Sequence, residues 1–167
     1  MWKHDNNNCN NRHFNTRTNK QSLLITYSPK IKLGIEGKFY MKIDHIAIYT
    51  KKLDRLKAFY EYYFGGISNT KYKNKTTGLE TYFISFQDGT RLEIMTRPVL
   101  DNNSRELFHT GYIHIAFSVG SIENVNMLTQ KLEEDGYPII SYPRTTGDGY
   151  YESCVLDPDG NQIEITA

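Results

Sequence analysis

The chain has 167 residues, with 38% hydrophobic and 23% charged side chains, two cysteines and a formal net charge of +1. That length suits one domain or two small ones, the composition argues against a disordered or fibrous protein, and no apolar run approaches the roughly 18 residues of a membrane span. Near-neutral charge gives no electrostatic basis for nucleic-acid binding, and Cys9 and Cys154 are too few for a disulfide framework, so a reduced, cytoplasmic setting is expected.

Residues 1–40 carry seven Lys/Arg against Asp5 and Glu36, and seven Asn fall in the first twenty positions. This reads as a low-complexity basic tail outside the fold. Leu23-Leu24-Ile25 is too short for the apolar core of a secretory signal, so much Asn fits a transit peptide poorly, and the positive charges are scattered rather than gathered into a nucleic-acid arm. Glu36-Gly37 can be encoded by GAAGGA, which resembles a ribosome-binding site. The native chain is therefore expected to begin at Met41 and the folded domain to span 41–167.

Within 41–167 an internal repeat organises the chain. His45-Ile46-Ala47-Ile48-Tyr49-Thr50 recurs as His114-Ile115-Ala116-Phe117-Ser118-Val119, and Gly89-Thr90-Arg91-Leu92-Glu93-Ile94-Met95 recurs as Gly160-Asn161-Gln162-Ile163-Glu164-Ile165-Thr166. The two His lie 69 residues apart and the two Glu 71, so both matches share one register within two residues. In chain order, alternation predicts a strand over 42–50. A helix follows, carrying Leu53, Leu56, Phe59, Tyr60, Tyr63 and Phe64 at spacings of three and four, and Gly65-Gly66 stops it. Strands are expected near 67–75, 79–86 and 90–95. After a linker over 97–110, the second unit repeats the plan: a strand over 112–119, a helix capped by Ser121 and ended by Gly136, and strands near 138–144, 150–156 and 161–166. Gln87-Asp88-Gly89-Thr90 and Asp157-Pro158-Asp159-Gly160 supply the last hairpin turn of each unit. The fold class is α+β, two paired βαβββ units (41–96 and 111–167) forming a curved mixed sheet.

The repeat duplicates one His in the first strand and one Glu in the last strand of each unit. Imidazole and carboxylate ligands suit divalent Ni, Co, Mn, Fe or Zn, and two waters could complete an octahedron around His45, Glu93, His114 and Glu164. Alternation puts Glu93 opposite Leu92 and Ile94, and Glu164 opposite Ile163 and Ile165. Two glutamates facing water would satisfy the same alternation; only the repeat ties each to a His. Cys154, between Ser153 and Val155, reads as a small core filler, and Tyr150 and Tyr151 as aromatic packing at a strand start or part of a loop over a pocket.

Asp44-His45-Ile46-Ala47, Arg91-Leu92-Glu93-Ile94, Gly111-Tyr112-Ile113-His114-Ile115-Ala116-Phe117-Ser118-Val119 and Asp157-Pro158-Asp159-Gly160-Asn161-Gln162-Ile163-Glu164 together resemble the vicinal-oxygen-chelate superfamily, and in particular its glyoxalase I (lactoylglutathione lyase) members. The resemblance spans 41–167. It implies paired βαβββ units around a divalent metal, frequent homodimers in which some members share each site between chains, and isomerisation of the thiol hemithioacetal of a 2-oxoaldehyde to a 2-hydroxyacyl thioester. By motif, Glu164 is the first candidate for the base, Glu93 its partner for the other substrate hand, and His45 and His114 fixed ligands. A complete His/Glu/His/Glu set favours this isomerase. Related ring-cleaving dioxygenases and fosfomycin-type transferases use two His and one carboxylate, and related epimerases commonly carry Gln in one place. A bleomycin-sequestering protein of the same fold, with no metal, is the non-enzymatic alternative.

The resemblance is weaker at the thiol. Tyr49, Arg97 and Thr110 stand where glutathione-using members carry Arg, Asn and, in human-type enzymes, Arg. Arg97 is the candidate for holding an anionic substrate group, with Arg105, His109 and Arg144 as weaker ones. The implied partner is a small molecule, either an adduct of another low-molecular-weight thiol or a compound that is not a thiol adduct.

Overall fold

The computed structural model describes residues 42–101 and 110–167, all within the unit Tyr40–Ala167. The expectations about the tail, and about Arg105 and His109, fall outside the described residues. Among the described residues, no helix is long and apolar enough to cross a membrane.

The first unit runs β1 (Ile46–Tyr49), α1 (Leu53–Phe64), β2 (Ile67–Ser68), β3 (Tyr72–Lys73), β4 (Glu80–Ser85) and β5 (Arg91–Thr96). The second runs β6 (His114–Ser118), α2 (Ile122–Glu134), β7 (Ile139–Thr145), β8 (Tyr151–Leu156) and β9 (Gln162–Thr166). Backbone hydrogen bonds divide these into two mixed sheets of matching topology, ordered β1-β5-β4-β2 and β6-β9-β8-β7. In each, the first strand lies parallel to the last and the remaining pairings are antiparallel. This is an α+β architecture of paired βαβββ units.

The strand expected over 67–75 is split into β2 and β3, both paired with β4. Asn69 explains the break, because its side-chain Oδ1 accepts the Phe83 N–H at 2.9 Å that a continuing strand would have bonded through its backbone. Pro143 sits in β7, which among the described residues pairs only with β8, and the register slips between Ser141 and Arg144; a residue without an N–H is tolerated on such an edge.

Both helices end and begin as their residues dictate. Gly65 adopts φ 64° and its N–H closes on the Tyr60 carbonyl, which stops α1. Ser121 accepts from Asn124 N–H and caps α2. Leu53, Leu56, Phe59 and Tyr60 of α1 are buried in a core that also takes Ile84, Leu92 and Ile94 from the first sheet and Val125, Leu132, Val155, Ile163 and Ile165 from the second unit. Aromatic rings cross between the units: Phe64 lies 4.3 Å from Phe117, and Phe59 lies 4.9 Å from Tyr137, centroid to centroid. One shared core therefore binds the repeats and fixes the backs of both sheets.

Candidate metal-binding half-sites

The opposite sheet faces carry the duplicated residues. Leu92 and Ile94 point into the core, so Glu93 between them projects to the other face with its side chain 17% exposed; Ile163 and Ile165 do the same for Glu164 at 22%. Ala47 is the register partner of Glu93 and Ala116 of Glu164. Each His stands two residues before that Ala, on the same face and diagonal to the Glu. The outcome is nearly identical in both units: His45 Nε2 lies 3.6 Å from Glu93 Oε2, and His114 Nε2 lies 3.5 Å from Glu164 Oε2.

These separations suit a shared cation. Two donors bonded to one ion at about 2.1 Å and a near-tetrahedral angle stand roughly 3.4 Å apart. Each pair could thus supply one imidazole and one carboxylate ligand. The two pairs are not gathered together, however: among the described residues no group of three or more His, Cys, Asp or Glu is placed to hold a metal ion. Each unit presents one His/Glu pair, a candidate half-site.

The surroundings of the half-sites differ. In the first, Asp44 Oδ2 lies 2.8 Å from His45 Nδ1 and also bonds Arg91. These two contacts hold the Asp44 carboxyl below the usual carboxylate range. Arg91 lies over the Phe83 ring at 4.9 Å, and Phe83 meets His45 edge-on at 5.2 Å. Thr81 Oγ1 donates to Glu93 Oε1 at 3.1 Å. In the second, Glu164 is pushed up from the usual range, first by burial and then by Glu152 and Asp148, while His114 pulls it down. Glu152 also bonds Arg144, 3.3 Å away.

Cys154 corrects the sequence reading. Ser153 and Val155 are the fully buried neighbours, whereas Cys154 is half-buried on the site face as the register partner of Glu164. Burial, followed by Glu164 and Glu152, pushes its thiol up. Tyr151 packs against the core with its hydroxyl on Asn126, as aromatic packing at a strand start requires, and Tyr150 is exposed. Arg97 lies just beyond β5 and is exposed. Asp44, Arg91, Thr81, Phe83 and Glu152 were not assigned roles from sequence. Counting by two from Glu93 and Glu164, then crossing to the adjacent strand, would have found most of them.

A cleft of about 490 Å³ opens between the two units, floored by Phe64, Phe86 and Phe117 and rimmed by Arg91. Ile46, Leu92 and Ile115 in its wall belong to the alternation opposite to the His/Glu face. Arg91 and Ala116 also line it, but His45, Glu93, His114 and Glu164 do not.

Residues 42–165 match the sequence model of the Glyoxalase/Bleomycin resistance protein/Dioxygenase superfamily. The chain is 26% identical over 130 residues to the uncharacterized protein YqjT of Bacillus subtilis, covering 75% of this chain and 98% of that one. Its fold is similar to a glyoxalase family protein from Bacillus cereus (TM-score 0.67, 16% identity, covering 79% and 97% of the two chains). It is also similar to the trypanothione-dependent glyoxalase I of Leishmania major (TM-score 0.60, 22% identity, covering 76% and 86%).

Proposed function

Since the chain belongs to the Glyoxalase/Bleomycin resistance protein/Dioxygenase superfamily, we propose that it is a metal-dependent glyoxalase I-like lyase, isomerising the thiol hemithioacetal of a 2-oxoaldehyde such as methylglyoxal in the cytoplasm. The observation that carries this reading is the pair of repeat-related half-sites, with His Nε2 and Glu Oε2 separated by 3.6 and 3.5 Å. His45, Glu93, His114 and Glu164 are the proposed ligands of a divalent Ni, Co, Mn, Zn or Fe ion.

The half-sites would meet in a homodimer. Among the described residues β1 pairs only with β5 and β6 only with β9, which leaves both first strands at the edge of their sheets. Ile43, Ile46, Tyr49, Tyr112 and Ile113 are exposed at or beside those edges, the kind of surface that recruits another strand. A second copy lets the His45/Glu93 pair of one chain face the His114/Glu164 pair of the other.

A divalent cation, when bound, supplies positive charge that makes the substrate C–H more acidic. Glu164 then takes the proton from the hemithioacetal carbon at a carboxylate oxygen and returns it to the adjacent carbon, while the hydroxyl proton passes from the first carbon's oxygen to the second's. Glu93 does the same for the other substrate hand, and His45 and His114 remain fixed. Arg97 is the proposed contact for an anionic group of the thiol. With Tyr49 and Thr110 in place of the arginines that glutathione-using relatives carry, a thiol other than glutathione is favoured.

The test is metal reconstitution of the stripped full chain with Ni, Co, Mn, Zn or Fe, assayed with methylglyoxal and a panel of low-molecular-weight thiols by thioester absorbance. Metal-dependent thioester formation is expected. Tight metal binding without turnover would move the reading to an epimerase or dioxygenase, and ligand sequestration without metal would move it to a binding protein.

A further inference from the structure

We propose that Asp44 is a positioning residue that, clamped by Arg91, fixes the His45 ring so that Nε2 is its metal-binding atom, and that the second half-site lacks this device. The inference rests on the reading of His45 and Glu93 as ligands.

The argument begins with hydrogen-bond capacity. An ionised carboxylate only accepts, so with Asp44 Oδ2 at 2.8 Å the ring hydrogen belongs on Nδ1. In the neutral imidazole this leaves the lone pair on Nε2, the nitrogen that faces Glu93 Oε2 at 3.6 Å. Asp44 could otherwise swing away, since its side chain is 57% exposed. Arg91 holds it by a bond to the same Oδ2 and is itself laid over Phe83, whose ring edge packs on His45. The contacts thus close a ring around the imidazole: Asp44, Arg91, Phe83 and back to His45. Thr81 restrains the neighbouring Glu93 in the same way.

The repeat supplies an internal control. The positions equivalent to Asp44, Arg91, Phe83 and Thr81 are Ile113, Gln162, Cys154 and Glu152. Ile113 has no acceptor to offer the His114 ring, and Gln162 no charge. An exposed ion pair such as Asp44–Arg91 adds little to stability. Its removal should therefore leave the melting temperature unchanged and act only on the ring, which separates positioning from a structural role.

Two readouts on the full chain test this. In the metal-free protein labelled with ¹⁵N-histidine, the His45 signal, assigned by its loss in His45→Ala, is expected as the Nδ1–H tautomer. It should shift toward the Nε2–H form in Asp44→Ala and be restored in Asp44→Asn, whose side-chain oxygen still accepts. Zn²⁺ affinity by chelator competition is expected to fall about tenfold in Asp44→Ala, and to stay within twofold in Asp44→Asn. A tautomer unmoved in Asp44→Ala overturns the positioning, as does an affinity within twofold of the parent when His45→Ala abolishes binding. Zn²⁺ binding insensitive to His45→Ala instead overturns the ligand reading on which the inference rests, a result the metal-free spectrum keeps distinct from failure of the positioning.

Discussion

Tyr60 donates its phenolic hydrogen to Asp157 across the boundary between the repeats, 3.1 Å from Oδ2, and both residues are buried. Asp157 also accepts from the backbone N–H groups of Asp159 and Asn161 and from the Asn161 side chain, so one carboxylate ties α1 to the turn between β8 and β9. That turn leads directly into the strand bearing Glu164. Tyr60→Phe removes the cross-unit donor without leaving a cavity. A loss of about 1–2 kcal/mol in stability is expected, measured by urea unfolding.

Acid titration of the same residue has a defined sign. Burial pushes the Asp157 carboxyl above its ordinary value of 3.8, outweighing the hydrogen bonds that pull it down. A carboxyl with a raised folded value holds its proton more tightly in the native state. Its contribution is fully present below the unfolded value and falls as pH rises through the folded one. Asp54, lowered chiefly by Lys71 and then Tyr82, behaves oppositely: its contribution is present above the unfolded value and lost as pH falls through the folded one. The stability advantage of the parent over Asp157→Asn should shrink as pH is raised from about 3.8, whereas its advantage over Asp54→Asn should grow over the acid range. Urea midpoints across that range check both.

Much of this fold is legible because its determinants are local. Leu53, Leu56, Phe59 and Tyr60 recur at helical spacing, and Gly65 and Ser121 act through their own backbone or side chain. Period-two alternation also gives the faces of Glu93 and Glu164 from their immediate neighbours. Cys154 defeats the same reasoning: between Ser153 and Val155, composition favours burying the thiol, but Ser153 goes inside because Thr129, 24 residues earlier, satisfies its hydroxyl. The Asp44–Arg91 contact is harder still. It joins residues 47 positions apart through the parallel pairing of β1 with β5, which no local pattern announces.

Gly65 and Gly66 serve different ends and should respond differently to alanine. At Gly65 the backbone has φ 64° with open space around a built Cβ, so the cost of Gly65→Ala is the left-handed conformation alone, about 1 kcal/mol. At Gly66 a Cβ would stand 2.4 Å from Cγ2 of the fully buried Ile84 and 3.3 Å from the Tyr60 carbonyl. Overpacking of that kind costs about 2–3 kcal/mol. Thermal unfolding should rank Gly66→Ala clearly below Gly65→Ala.

Thr129 and Ser153 form a buried hydroxyl pair 2.6 Å apart. Thr129 gives its hydrogen to the Val125 carbonyl at 2.7 Å, so Ser153 must donate to Thr129. Thr129→Val then strands the Ser153 hydroxyl and should cost about 1–2 kcal/mol. Adding Ser153→Ala removes the stranded group and should recover part of that loss, giving a non-additive double-mutant cycle.

The two carboxylates of the proposed metal site should not be equivalent. Glu93 is restrained by Thr81 beside a His45 ring that is itself clamped, which makes it the less mobile of the two bases. Glu164 instead has the Glu152 carboxylate beside it, at the position equivalent to Thr81, which suits a group that leaves the ion to take and return a proton. Glu164→Gln keeps the shape and an acceptor oxygen but cannot carry the proton. It should lower kcat by about 10²–10⁴-fold while Zn²⁺ binding is retained or modestly weakened. Glu93→Gln should weaken Zn²⁺ binding more and, at saturating metal, lower kcat less. Steady-state kinetics at several metal concentrations separate the two effects, and equal kcat losses for both variants at saturation would make the half-sites interchangeable.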